Sequence, residues 1–295
     1  MARDKKNFWF KETDLPYWNG AGVRTELFVK KQIHEEQSGY QHIQVFDIAL
    51  YGKSLVLDGI LQTTEADEFV YHEMLVLMPL VLTGRPQKIL IVGGGDGGAA
   101  RQAVRVRSLK KILMVELSER VVEVCAKYLP KLSQRARNDP RVELVIGDGM
   151  EWIKKFSQEF DVVSLDLTDP EPNGPSAKLY ESPFFKDIKK ALKKGGILAV
   201  QSGSLSFQTE WVKILGSSLL KVFPYVDVHS AVVPSYQAGL YSFILASEKP
   251  LNRMSISQIR RVLKKNVSGT CKYFSSEIYF ASKVLPSFLK EQLCM

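Results

Sequence analysis

The sequence predicts an α/β fold in which a doubly wound, mostly parallel sheet follows a smaller antiparallel β domain. From residue 88 onward, short apolar runs alternate with segments of helical periodicity, which is typical of a parallel sheet covered by helices on both faces. The first such run breaks into the glycine cluster GGGDGG at 93–98, as a buried strand does when it turns sharply into a helix. Residues before about 80 instead show short alternating runs separated by glycine-containing turns, which favours hairpins.

Length, composition and charge limit the classes of protein that are possible. The chain has 295 residues, 45% hydrophobic and 24% charged, which suits an N-terminal β domain at 1–80 and a larger domain at 81–295. The net charge of +8 is spread over separate basic pairs, so we expect solvated surfaces and no nucleic-acid partner. No signal peptide and no apolar run of spanning length are visible, so we expect no membrane association. The three cysteines lack CxxC spacing, which favours a reducing, cytoplasmic setting.

The predicted N-terminal domain is a meander of short strands followed by a helical segment. We expect strands at 45–50, 54–58 and 60–64, and helical spacing over 67–76 with acids in its first turn. This helical segment would bring acids, the Tyr71 ring and the His72 imidazole from the small domain toward the strand ends of the larger one. A lone histidine is more often an ordinary core or surface residue, so the assignment of His72 depends on its neighbours.

The larger domain alternates strands and helices in the order of a Rossmann-like, methyltransferase-type fold. We expect strands at 88–93, 111–116, 142–146, 161–166 and 196–201, helices near 97–107, 119–129, 149–156, 182–194, 207–223 and 255–265, and a C-terminal antiparallel hairpin formed by 225–233 and 239–247. Ligands of such sheets bind beyond the carboxyl ends of the strands, so the residues that follow each strand are the candidates for function.

The glycine turn after the first strand has the spacing of a dinucleotide fingerprint at Gly93, Gly95 and Gly98. Asp96 would repel a pyrophosphate resting on this turn and would attract a cationic ligand. The turn therefore favours a nucleoside with a positively charged appendage over NAD. A purely structural glycine turn is the alternative, and an NAD oxidoreductase would require nicotinamide binding despite Asp96.

The second and third strands each end in an acid. Glu116 lies about twenty residues after the glycine turn, where an acid conventionally binds ribose hydroxyls, although a solvated loop acid is the alternative. Asp148 stands between two glycines, and it either accepts from an adenine amine or caps the next helix.

The fourth strand ends in the heptad SLDLTDP at 164–170, which is the most informative stretch of the chain. Carboxylates at the end of an apolar strand are unfavourable unless cations meet them. Asp169 before a proline could be a turn residue only, but Asp166 on the strand end has no such explanation. Together with Asp96, these acids predict a site for an organic ammonium group with aromatic walls. Acids from separate strands without His or Cys support do not favour a metal.

Several ordered motifs across both predicted domains resemble the aminopropyltransferases of the spermidine synthase family. They are residues 38–43, 57–74, 93–98, 166–170, 273–281 and 285–288. The resemblance implies transfer of an aminopropyl group from decarboxylated S-adenosylmethionine to an amine acceptor, with release of methylthioadenosine. It implies that the nucleoside is a co-substrate and that no cofactor or metal is needed. It also implies a homodimer or homotetramer.

The resemblance also implies roles for individual residues. By match of motif, the nucleoside and thioether end would be held by Gln41, Gly93, Gly94, Gly95, Glu116, Asp148, Gly149 and Pro175, with Asp96 at the amino end of the aminopropyl group. The amine acceptor would contact Tyr71, His72, Asp96, Asp166, Asp169, Gln201 and Tyr236. Asp166 matches the catalytic proton acceptor of the family.

The identity of the acceptor is left open by three departures from the diamine-specific pattern. The segment 171–180 is about two residues longer, 201–204 lacks the acid that often follows Gln201, and Tyr236-Gln237 replaces the usual Tyr-Pro. Conversion of putrescine to spermidine is the first expectation, and agmatine or a triamine acceptor (as in thermospermine-forming enzymes) is the alternative. An S-adenosylmethionine-dependent methyltransferase and a non-catalytic polyamine-binding regulator are the rival functions.

Overall fold

Two sheets make up the architecture of the chain. The computed structural model describes residues 7–12, 25–169, 177–237 and 239–293. The N-terminal sheet is antiparallel, with its strands in sequence order: β1 (Phe8–Lys11), β2 (Glu26–Gln37), β3 (His42–Ile48), β4 (Gly52–Leu57) and β5 (Ile60–Thr64). This confirms the small antiparallel β unit that the alternating runs predict.

The larger sheet contains seven strands in the order β11-β12-β10-β9-β6-β7-β8. They are β6 (Lys88–Gly93), β7 (Lys111–Glu116), β8 (Val142–Ile146), β9 (Phe160–Asp166), β10 (Leu192–Ser204), β11 (Tyr225–Val232) and β12 (Leu240–Ser247). Strands β6 to β10 are parallel, and β11 and β12 form the antiparallel hairpin at one edge. The strand order reverses between β6 and β9, so a ligand crevice is expected beyond these two strand ends. The predicted Rossmann-like fold class is confirmed.

Helices cover both faces of this sheet. They are α1 (Glu68–His72), α2 (Met78–Leu82), α3 (Gly98–Ala103), α4 (Glu119–Tyr128), α5 (Pro130–Arg137), α6 (Gly149–Ile153), α7 (Ser182–Ala191), α8 (Thr209–Leu220), α9 (Ile256–Asn266), α10 (Ser276–Ala281) and α11 (Ser287–Leu293). A π-helical turn over Glu73–Leu77 joins α1 to α2, and a 3₁₀ turn covers Ala177–Tyr180. No helix in the described ranges is both long enough and apolar enough to cross a membrane.

The structure differs from the sequence prediction mainly at the N-terminal end. Strands β1 and β2 are not predicted, because β2 carries charged side chains along most of its length and pairing with β3 decides its conformation. The predicted strand at 45–50 begins at His42 and ends at Ile48. The predicted helix at 67–76 continues through a π turn to Leu82, since the whole apolar run is buried.

The packing of the two sheets places the site between them. The helical run from Val70 to Leu82 packs in one core cluster with the buried side chains of β6, including Ile89 and Ile91. Helices α4 and α5, which follow β7, pack against the N-terminal sheet, with Cys125 buried among them. The small sheet is therefore held beside the carboxyl ends of the parallel strands. The domain division at residue 80 stays a prediction.

Candidate active site

A cavity of about 1020 Å³ lies between the N-terminal sheet and the carboxyl ends of the parallel strands. The following residues singled out from the sequence line it: Gln41, Tyr71, His72, Gly93, Gly94, Gly95, Asp96, Glu116, Asp148, Gly149, Asp166, Asp169 and Tyr236. Gln201 is not on its wall, and Pro175 lies outside the described residues. Acids from the glycine turn after β6 and from the ends of β7 and β9, the strands on either side of β6, thus face one space.

The glycine turn joins the ends of β6 and β9. Gly93 and Gly94 have φ values of +83° and +77°, which L side chains rarely adopt. The Gly94 N–H donates to the carbonyl oxygen of Asp166 (2.9 Å), and a Cβ on Gly93 would lie 2.1 Å from that same oxygen. The absence of a side chain at Gly93 is therefore what lets the two strand ends meet and what sets the position of Asp166.

We expect Gly93→Ala to lower both stability and activity. The added Cβ combines a strained φ with a backbone clash, which corresponds to a loss of roughly 2–4 kcal/mol in the free energy of unfolding. Gly216→Ala is the matched control, because a Cβ at this position in α8 meets nothing within 4 Å. It should leave stability unchanged or raise it by up to ~1 kcal/mol. Urea denaturation of both variants checks this, and equal midpoints would contradict it.

Asp166 is the last residue of β9, and only one of its two carboxylate oxygens has a hydrogen-bond partner among the described residues. The Tyr71 O–H donates to Asp166 Oδ1 (2.8 Å), whereas Oδ2 is buried and finds no hydrogen-bond partner in the described part of the chain. Burial raises the pKa of Asp166 to about 6, because the His72 cation opposes this effect only in part and the Asp96 charge adds to it. A carboxylate that lines the cavity and has one oxygen without a hydrogen bond is suited to accept a proton or bind an ammonium group.

Asp96 and His72 form a charged pair beside Asp166. His72 Nε2 lies 3.5 Å from Asp96 Oδ2 and 3.9 Å from Asp166 Oδ2. Burial alone would raise the pKa of Asp96, but the His72 charge outweighs it, so this pKa lies below its usual value. The Gly98 N–H donates to Asp96 Oδ1 (2.7 Å), which fixes the carboxylate at the start of α3.

Asp169 is held by a polar network behind the cavity wall. The Gln201 amide donates to Asp169 Oδ1 (3.1 Å) and the Gln208 amide donates to Oδ2 (3.1 Å). The Tyr241 O–H donates to the Gln201 carbonyl. Burial raises the pKa of Asp169, and these donors lower it in part. Gln201 therefore orients Asp169 from behind, and direct contact of Gln201 with an amine stays a prediction.

The cavity is also lined by the residues expected for a nucleoside. The Ser118 N–H donates to Glu116 Oε1 (2.8 Å), and burial raises the pKa of Glu116 to about 7. Asp148 Oδ1 accepts from the Met150 N–H (2.8 Å) and thereby caps α6. Of the two roles left open for Asp148, the cap is present, and the residue still lines the cavity.

Aromatic rings wall the cavity near the acids. The Tyr71 ring centroid lies 5.9 Å from those of Tyr236 and Tyr241, and the Tyr236 O–H donates to the Gln62 carbonyl (2.6 Å). Such rings bind cations through their negative faces. Tyr241 was not identified from the sequence, although its inward-facing position on a predicted strand was available as a signal.

Glu12 is a further acid on the cavity wall that sequence reasoning missed. Its Oε1 accepts from the Leu61 N–H (3.0 Å), so it links the chain after β1 to β5. Burial raises the pKa of Glu12 to about 7, and the charge of Asp169 contributes to the rise. The alternation of Phe8, Trp9 and Phe10 just before it was the available signal for a strand leading there.

The fold and cavity define a protein with a Rossmann-like, methyltransferase-type domain, whose strand ends form a cavity lined by several carboxylates. Two family models match the chain: the spermine/spermidine synthase domain over residues 68–256 and the spermidine synthase tetramerisation domain over residues 8–65. The chain therefore belongs to the spermine/spermidine synthase family, which confirms the resemblance inferred from the motifs and the enzyme class that it implies.

Curated relatives and solved structures agree with this membership. A protein from Thermoanaerobacter sp. (strain X514), named polyamine aminopropyltransferase, is 38% identical over 96% of this chain and 97% of its own length. One of the same name from Thermoplasma acidophilum is 39% identical over the same shares. A crystal structure of a spermidine synthase in complex with the transition-state analogue AdoDATO has a TM-score of 0.90 and 32% identity, and covers 100% of this chain and 97% of that one. The spermidine synthase from Thermotoga maritima gives 0.88 and 32% over the same shares.

Proposed function

We propose that this chain transfers the aminopropyl group of decarboxylated S-adenosylmethionine to an amine acceptor and releases methylthioadenosine. The observation that carries the proposal is that Asp96, Asp166 and Asp169 face one cavity that Glu116 and the glycine turn also line. Both reactants would be cations, and the protein is otherwise basic, so the local excess of carboxylates selects them. The AdoDATO complex of a structural relative supports the same substrate pair.

The proposed mechanism is an in-line displacement at the carbon next to the sulfonium. The glycine turn and Glu116 orient the nucleoside, and Asp96 binds the ammonium at the end of the aminopropyl group. Asp166 accepts a proton from the attacking amine, because a protonated amine has no lone pair with which to attack. Asp169 and the tyrosine wall hold the rest of the acceptor. Positioning of the two substrates supplies most of the rate enhancement, since a carboxylate is a weak base for an amine.

Putrescine is the acceptor that we propose first, with agmatine or a triamine as the alternative. The segment 201–204 lacks the acid that several diamine enzymes carry just after the residue matching Gln201. A neutral amide lies near this segment instead, since a Cβ on Gly203 would meet Gln208 Oε1 at 2.3 Å. The buried Glu12 carboxyl on the same cavity supports an acceptor whose second cation reaches the N-terminal sheet.

Product analysis tests the proposed function. We expect methylthioadenosine release from decarboxylated S-adenosylmethionine to depend on an added amine, when putrescine, agmatine, cadaverine, spermidine and norspermidine are supplied separately. Chromatography of the products gives the acceptor directly. Methyl transfer from S-adenosylmethionine without an aminopropyl product would instead favour a methyltransferase. Amine binding without turnover would favour a polyamine-binding regulator.

Four further expectations belong to this proposal. The match of residues 8–65 to a spermidine synthase tetramerisation domain supports self-assembly through the N-terminal sheet. Scattered basic pairs support the expected absence of a nucleic-acid partner. A cytoplasmic location and the domain division at residue 80 stay predictions.

A further inference from the structure

We propose that the Glu68–His72 pair receives the proton that Asp166 removes from the amine. The proton would thus pass from the amine to Asp166 and then to the His72 imidazole. The inference deepens the proposed function and rests on it. Glu68 and Arg101 are positioning residues in this scheme, because they act through His72 and touch neither substrate.

The geometry places the His72 ring between two carboxylates. His72 Nδ1 lies 2.8 Å from Glu68 Oε2, and Nε2 lies 3.9 Å from Asp166 Oδ2. That Oδ2 is the buried oxygen with no hydrogen-bond partner in the described residues, so the Asp166 carboxyl can pass a proton to the imidazole from this oxygen. Catalytic hydrogen bonds are often long before substrates bind and tighten in the reactive complex. The ring is only 2% exposed, which fixes its direction.

The reaction requires an outlet for one proton. The amine loses a proton, its lone pair forms the new N–C bond, and the C–S bond breaks with its electron pair remaining on sulfur as a neutral thioether. An alkylamine holds its proton with a pKa near 10, whereas the pKa of Asp166 is raised only to about 6. A second base that takes the proton from Asp166 prevents its return to the amine.

The surroundings of His72 explain how its charge changes during the cycle. The titratable and charged groups that face it are Glu68 and Tyr71 on its own helix, Asp96 and Asp166 across the cavity, and Arg101 behind Glu68. Burial lowers the pKa of His72, but the Asp96 and Glu68 charges outweigh it, so this pKa lies well above its usual value. When the ammonium of the co-substrate occupies Asp96, that contribution is cancelled. His72 then releases its proton to solvent through the cavity that it lines, and presents a free Nε2 to Asp166.

The Arg101 guanidinium keeps the transferred proton on the ring. Arg101 Nη2 donates to the Glu68 oxygen that also meets His72 Nδ1, so it neutralises part of the Glu68 charge. The carboxylate therefore orients the imidazole and stabilises the imidazolium without taking the proton itself. The same logic, in which a buried acid holds the tautomer of a histidine base, operates in hydrolase triads.

The pH profile of kcat at saturating substrates tests the relay with two variants that should shift its acid limb in opposite directions. Glu68→Gln keeps an oxygen for Nδ1–H but removes the negative charge. It should lower the His72 pKa, move the acid limb to lower pH by about one unit, and reduce the plateau about tenfold. Arg101→Gln removes the cation behind Glu68 and should move the acid limb to higher pH. Arg101→Lys keeps the charge and should restore the wild-type profile.

A purely structural role of His72 predicts a different pattern of shifts in the pH profiles. If His72 were only a fixed cation beside Asp166, Glu68→Gln would weaken it, raise the Asp166 pKa and move the acid limb upward. That result, or unchanged limbs in both variants while product still forms, would overturn the relay. If a thermal unfolding experiment shows that Glu68→Gln is not folded, the Arg101→Gln and Arg101→Lys variants test the relay instead. A wild-type enzyme that forms no aminopropyl product with any amine would instead refute the proposed function.

Discussion

Replacement of Asp166 by Asn is expected to lower kcat by roughly two to three orders of magnitude while the chain still folds. The amide keeps an oxygen to accept from the Tyr71 O–H but cannot accept a proton from the amine. General base catalysis contributes about 10²- to 10⁴-fold in such reactions, and substrate positioning survives the substitution. Steady-state kinetics of methylthioadenosine release measures the loss, and KM for both substrates should change far less than kcat.

The same carboxyl group sets a lower limit to the pH range of the wild-type enzyme. Asp166 must be ionised to act as a base, and its pKa is raised to about 6, so activity should be lost once the pH has dropped through that region, below the limb that the relay assigns to His72. The folded-state pKa lies above the unfolded one, so the buried charge lowers stability at neutral pH, and the Asn variant lacks this cost. Its melting temperature at pH 7 should therefore equal or exceed that of the wild type.

A distant aspartate provides the control for this substitution. Asp227 lies on β11, where it pairs with Lys283, and it does not line the cavity. Asp227→Asn should therefore retain wild-type kcat. An Asp166→Asn enzyme with unchanged kcat would remove Asp166 as the base, whatever the identity of the acceptor.

Strand ends account for most of what the sequence could predict about the site. The runs at 88–93 and 111–116 match β6 and β7 residue for residue, because a buried strand between covering helices must be a continuous apolar segment. The run at 142–146 also matches β8, although this edge strand is largely exposed. The rule that ligands bind at the carboxyl ends then identifies Asp96, Glu116 and Asp166 without knowledge of any side-chain contact.

Side-chain direction and long-range pairing account for what the sequence could not predict. The register of β10 against β12 shifts between Gln201 and Gly203, and such an irregularity re-aims side chains in a way that simple alternation does not anticipate. Gln201 consequently meets Asp169 from behind the wall. Glu12 reaches the cavity because of its contact with Leu61, which is 49 residues away in sequence, and no local pattern encodes that contact.

Replacement of Asp96 by Asn is expected to weaken binding of decarboxylated S-adenosylmethionine and to reduce discrimination against S-adenosylmethionine itself. Loss of one partner of a buried, hydrogen-bonded charge pair corresponds to about 2–4 kcal/mol, or roughly 30- to 1000-fold in affinity. The carboxylate of S-adenosylmethionine would be repelled by Asp96, and the neutral Asn removes this repulsion. Titration calorimetry with both compounds should therefore show a large loss for the first and a smaller loss, or a gain, for the second.

Asp148→Asn is the matched control, because Asp148 lies at the end of the cavity expected to hold the adenosine that both compounds share. It should change both affinities by the same factor and leave their ratio intact. If Asp96→Asn likewise left the ratio of the two affinities unchanged, Asp96 would not be the group that recognises the charge at the end of the aminopropyl chain. The selection of a cationic nucleoside would then have to come from Asp166 and the aromatic wall alone.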